Sequence, residues 1–231
     1  MNYSRFSAAL LAAASIAGIA RAGEAVQIDA SSVFNMRPVS TMVAGKLVPM
    51  TGDIDGAGGV ATKSAAKSQG TDDPFSMPDD GKFPANDKHA LIIMPYAKDD
   101  GKSPQARTSR AEDSFSFPVP PKNYSKLWLF LASGRGPSDI AVEMKYSDGS
   151  TETRKMQVPD WFWDLKPDDP DRCYVATNLS KWGPKRQLEK NHHSIFGLNI
   201  HPNPAKTLTS LGITKTKPGI MAFCGATGQV N

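Results

Sequence analysis

Asp160-Trp161-Phe162-Trp163-Asp164 is the densest aromatic cluster in the chain. A sugar ring presents apolar C–H faces and a rim of hydroxyls, so aromatic surfaces beside carboxylates are the raw material of a glycan site. His192 and His193, with Asn191 before them and His201 after, add imidazoles suited to a sugar or a metal. Neighbours on a strand face opposite ways, so one metal ion is not expected to take both histidines. No cysteine or acidic ligand stands at matching spacing for zinc, and hydrogen-bonded loop histidines are the plainer expectation. The candidate ligand-binding residues are therefore Asp160, Trp161, Trp163, His192 and His193.

Two acidic loops, Asp53-Ile54-Asp55-Gly56 and Asp168-Asp169-Pro170-Asp171, carry the oxygen ligands that Ca²⁺ wants. Neither completes an EF-hand, so a structural calcium would be assembled from separate loops, with Asp53, Asp55 and Asp169 as first candidates. Solvated turn acids are the alternative. No other cofactor is expected. Catalytic signatures are absent: there is no G-x-S-x-G, H-E-x-x-H or G-x-x-x-x-G-K-[ST], and no cysteine with a convincing histidine partner. A glycosidase would need paired carboxylates such as Asp160 with Asp164, or Asp160 with Glu143, at a separation only a structure supplies. No catalytic residue is assigned. Asn123-Tyr124-Ser125 and Asn178-Leu179-Ser180 are glycosylation sequons, of the kind chance also provides.

The elements that must position these residues read as strands. Arg5, the apolar run from Phe6 to Ala20 and the small-residue site Ala20-Arg21-Ala22 have the layout of a secretory signal peptide over residues 1–22. A run of roughly fifteen residues is short for a bilayer core of about 30 Å, so cleavage is expected and an uncleaved anchor is the alternative. Residues 23–231 then form a single domain, secreted or periplasmic, with no membrane span. The chain has 27 basic and 23 acidic residues; Arg5 and Arg21 leave with the signal, and the remaining net charge is +2. Interspersed signs give no electrostatic footprint for nucleic acid.

Short alternating segments punctuated by Gly, Pro, Asp and Asn predict an antiparallel all-β protein. Val26-Gln27-Ile28 begins the fold, and Ala90 to Met94 is a compact strand candidate. Phe115, Phe117 and Val119 alternate onto one face. Lys126 to Ala132 is apolar on both faces and belongs at the centre of a sheet. Ile140 to Tyr146 and Thr151 to Val158 make a hairpin across Asp148-Gly149, burying Ile140, Val142, Met144 and Tyr146. Further strands are expected at Ile195 to Ile200, Leu208 to Ile213 and Ile220 to Cys224, a short helix at Thr62 to Ala66, and long surface loops at 70–89 and 98–112. Cys173 and Cys224 sit in strand-like runs, and would pair only if those strands are neighbours; otherwise both are buried free thiols.

In order along the chain, several pieces resemble the galactose-binding-like jelly rolls, β-sandwich modules associated with secreted glycoside hydrolases. They are Ile28 to Asn35; Asp53-Ile54-Asp55-Gly56-Ala57-Gly58-Gly59 with Ser64-Ala65-Ala66; Tyr124 to Leu131; Tyr146-Ser147-Asp148-Gly149-Ser150 with Val158-Pro159-Asp160-Trp161; and Pro202 to Ile213 with Ile220 to Ala226. Val60 stands where such modules carry an aromatic residue. The resemblance implies an antiparallel β-sandwich of jelly-roll form, often with a structural calcium, serving carbohydrate binding, protein interaction or plain structural support. Such modules carry Asp-Trp at 160–161 whatever their ligand, which implies that Trp161 caps the core and Asp160 bonds backbone amides. A polysaccharide or glycan is the first expected partner. A protein partner in the cell envelope is the alternative, and a polysaccharide hydrolase or lyase stands behind both.

Overall fold

The computed structural model describes residues 23–183 and 188–230; the expected signal peptide lies outside them. The first part of the chain supplies short strands: β1 (Glu24–Ile28), β2 (Val39–Val43), β3 (Lys46–Val48), β4 (Val60–Ala61), β5 (Lys82–Phe83), β6 (Ile92–Ile93) and β7 (Arg107–Ser109). Long strands follow: β8 (Asp113–Lys122), β9 (Tyr124–Gly134), β10 (Ser138–Tyr146), β11 (Thr151–Val158), β12 (Arg172–Trp182), β13 (Leu188–Asn199), β14 (Leu208–Lys217) and β15 (Ile220–Val230). The only α-helix among the described residues, α1 (Lys63–Ser68), is N-capped by the Thr62 hydroxyl, which accepts from the Ala65 amide. No helix of the described residues is long and apolar enough to cross a membrane.

The long strands build an antiparallel β-sandwich. One sheet runs β1-β15-β9-β13-β12, with β7 sharing the outer edge of β15; the other runs β11-β10-β14-β8. Alternation decides which side chains meet between them. Phe115, Phe117 and Val119 of β8 point inward with Ile140, Val142, Met144 and Tyr146 of β10, and they meet Leu127, Leu129 and Leu131 of β9. Phe223 of β15 stacks on Phe117 with ring centroids 5.4 Å apart. The β10–β11 hairpin forms where its alternation requires, and Gly149 at φ +82° supplies the left-handed turn residue.

β9 is central in its sheet, and its opposite face is apolar too: Trp128, Phe130 and Ala132 are buried away from the sandwich core. Residues 36–106 cover that face, lowering Val39, Ile54, Val60, Met77, Ile92, Met94 and Tyr96 onto it. The expectation of free surface loops at 70–89 and 98–112 is corrected accordingly: Met77, His89, Gln105 and Ala106 are buried within them. The strand expected over Ala90 to Met94 shrinks to Ile92–Ile93, because this stretch acts as a row of plugs, with Ile92 and Met94 both buried. An ion pair fixes the layer internally. Arg37 reaches Asp99 at 2.6 Å with both side chains 5% exposed, and Thr41 and Gln105 donate to the same carboxylate. Removing one partner of such a pair would strand a buried charge at a cost of about 3–5 kcal/mol.

The two cysteines are free. Their strands, β12 and β15, have β13 and β9 between them, so three strand spacings, about 14 Å in all, separate them, well beyond disulfide reach. Burial pushes the thiols up to about 11 at Cys173 and about 12 at Cys224, which makes both inert apolar fillers at neutral pH.

Candidate functional site

The β9–β13 ladder stops at the Leu131–Phe196 pair. Beyond it a third segment enters between the two strands. The Trp161 amide donates to the Ser133 carbonyl at 2.6 Å, and the Trp161 carbonyl accepts from the Ser194 amide at 2.7 Å, so residues 160–161 splice the gap. Asp160 locks the splice. One of its carboxylate oxygens accepts from the Phe162 amide at 3.0 Å and the other from the Gly136 amide at 2.6 Å. With each oxygen accepting a backbone amide and the residue 8% exposed, Asp160 forms and locks the turn.

Trp161 follows inward. It is 2% exposed and packs on the His193 ring with centroids 4.4 Å apart. His193, also buried, donates through Nδ1 to the Leu179 carbonyl at 3.1 Å. Desolvation, aided by the charge of Lys181, holds its pKa below the usual histidine value, so burial favours the neutral ring. Of the five predicted residues, Asp160, Trp161 and His193 are therefore internal supports.

Phe162 and Trp163 point the other way, 52% and 50% exposed. Strand alternation would have put Trp161 and Trp163 on one side. The tight turn closed by the Trp163 amide on the Asp160 carbonyl, 2.9 Å, breaks that alternation and throws two successive rings outward. His192 is exposed beside them, at φ +67°, with its ring 5.8 Å from that of Phe162. An aromatic side chain buries about 150–250 Å² when covered, so each half-exposed ring forgoes about 2–3 kcal/mol of apolar burial. Folding alone gives no reason for that, whereas a ligand laid across the rings would recover it. Phe162 was not separable from its neighbours by sequence, because only the turn geometry sets it outside.

Of the carboxylates considered for glycoside hydrolysis, Asp160 accepts from two backbone amides. Asp164 accepts a bond of 3.4 Å from the Tyr174 hydroxyl, and Glu143 lies on the outer face of the opposite sheet, 3.2 Å from Lys145. The calcium candidates are engaged within the chain. Asp53 pairs with Arg110 at 2.8 Å, Asp55 accepts the Ala57 and Gly58 amides and approaches Lys181, and Asp169 pairs with Arg172 at 2.9 Å. No group of three metal-ligating side chains occurs among the described residues. No known family model and no curated protein matches the chain.

Two outcomes follow from this geometry. Asp160→Ala removes the acceptor of two amides and should cost about 1–3 kcal/mol in urea unfolding, with a change in the fluorescence of Trp161 and Trp163. His193 sets a pH dependence of its own. Its folded pKa lies below 6.5, so the unfolded chain takes the proton first, and stability should fall as the pH drops from 6.5 toward that lower value. In His193→Gln the slope between pH 7.5 and 5.5 should flatten; an unchanged slope assigns the effect to other groups.

Proposed function

We propose that this chain is a secreted, non-catalytic carbohydrate-binding protein of the galactose-binding-like jelly-roll kind, with Phe162 and Trp163 as its sugar-facing surface. One observation carries the reading: two adjacent aromatic rings stand half-exposed on a turn whose backbone is spliced into the central sheet. Apolar rings carried on a turn fixed before binding cost little ordering entropy when a sugar stacks on them. His192 beside it supplies a polar rim for hydroxyls. The signal-like N-terminus supports export, and the strand order supports the jelly-roll assignment. β1 pairs with β15 in one sheet while β8 pairs with β14 in the other, so each sheet sets an earlier strand beside one of the last two. Asp160, occupied by backbone amides, argues for binding over hydrolysis.

Pull-down of the mature chain by a panel of insoluble plant and microbial polysaccharides tests this directly. Trp163→Ala should weaken binding roughly tenfold, the equivalent of about 1.4 kcal/mol, without lowering the unfolding midpoint, and Phe162→Ala, whose ring also meets that of buried His193 at 5.3 Å, should weaken it similarly with a small loss of stability. Absence of binding across the panel, or undiminished binding by both variants, removes the proposed surface. Capture of a protein that free sugars do not displace would make the turn a protein-docking surface instead.

A further inference from the structure

The outer face of the β9 sheet carries a second feature at the end remote from the aromatic turn. Two clefts, of about 290 and 310 Å³, meet there and share Asp87, Lys88, Lys126 and Trp128. Trp128 forms the floor, and the Lys126 ammonium lies 5.9 Å from its ring centroid. In the first cleft Asp87 and Lys88 stand across from the 168–172 loop, while the second is bounded by residues 85–91 and by Gly23, Ala25 and Gln229. Each cleft is at the lower end of the range of about 300–1,000 Å³ for small-molecule sites, and the first is a groove lined by all four of Asp87, Lys88, Lys126 and Asp168.

The charges in this groove sort into two sets. Asp169 pairs with Arg172 at 2.9 Å and Asp171 with His201 at 2.8 Å, so those four are satisfied within the chain. Lys88, Lys126, Asp87 and Asp168 form no side-chain ion pair or hydrogen bond among the described residues, and they are exposed to the groove they line. Two cations and two anions facing one cavity cancel in net field, which favours neither a polyanion nor a polycation. They do offer donors and acceptors side by side. A hydroxyl is both donor and acceptor, so a ligand carrying hydroxyls along its length can use every one of them. The backbone is set for this arrangement at a cost: Asp168 at φ +57° and His201 at φ +47°, on the rim, are non-glycine residues in the left-handed region.

We infer that this groove is a second glycan subsite, taking a short neutral oligosaccharide by hydroxyl hydrogen bonds to Asp87, Lys88, Lys126 and Asp168. The inference rests on the carbohydrate-binding reading but uses none of the residues of the aromatic turn. It places two contacts on one sheet face, which would let a single polysaccharide chain engage both ends or let two chains be held at once.

The test is calorimetric titration of the mature chain with cellotriose, xylotriose and maltotriose, with trigalacturonate and triglycine as charged controls, at 0.05 and 0.5 M salt. At least one neutral trisaccharide should bind with an affinity that salt leaves unchanged, because no net charge is exchanged. Lys126→Ala and Asp87→Ala should each weaken it roughly tenfold, with unfolding midpoints unaltered, while Trp163→Ala leaves a measurable fraction of the binding. Binding that Trp163→Ala abolishes and the groove variants leave intact overturns the groove and keeps the aromatic surface. Loss in the groove variants with none in Trp163→Ala keeps the groove as a site of its own, and the polysaccharide pull-down decides the aromatic surface. Stronger, salt-sensitive binding of trigalacturonate or triglycine at the groove overturns the neutral-sugar assignment, and no binding by any trisaccharide overturns the groove, while the polysaccharide pull-down decides the aromatic surface.

Discussion

β9 is apolar on both faces. Leu127, Leu129 and Leu131 point to one side and Trp128, Phe130 and Ala132 to the other, and all six are at most 2% exposed. Side chains of this size each gain about 1.5–3 kcal/mol from full burial, so neither face can be left to water in a fold stable by only about 5–15 kcal/mol. The second sheet answers one face. The other is answered by a layer with little regular structure, which places residues such as Met77, Ile92 and Met94 where the sheet needs them and is tied internally by the Arg37–Asp99 pair.

That double cover shapes the candidate site. The segment carrying Asp160 and Trp161 is part of the outer cover, since Trp161 belongs to the same buried cluster as Trp128 and Phe130. It is also part of the sheet, through Ser133 and Ser194. A turn tied down on both counts can hold Phe162 and Trp163 in water without letting them collapse. The residues that would meet a ligand and those that hold them there are adjacent in sequence and opposite in role.

Much of the sandwich could be read from the sequence because its signals are local. The β10–β11 hairpin is written in its alternation and in Asp148-Gly149, β9 in its uninterrupted apolar run, and α1 in Thr62 as a cap. The outer layer is not local. Met77 is an apolar residue among Ser, Pro and Asp without a period, and the run Ala90 to Met94 reads as an ordinary strand; only the sheet beneath makes Met77, Ile92 and Met94 core. The same holds at the site. The composition of residues 160–164 marks a place of interest, but which rings face out depends on bonds to Ser133, Gly136 and Ser194, residues remote in sequence. The groove is further still from sequence view, since its free charges come from separate segments and each alone reads as an ordinary surface residue.

The central claim is that the Asp160–Trp161 segment is a built-in piece of the sheet and holds the exposed rings as a rigid platform. Native-state hydrogen exchange of individual amides tests it most directly. The amides of Trp161, Phe162, Gly136 and Ser194 should be protected nearly as strongly as those of Leu129 and Leu131, within about tenfold, and should open only with the sheet. Exchange of these four at rates near those of an unstructured chain, with β9 still protected, would contradict it.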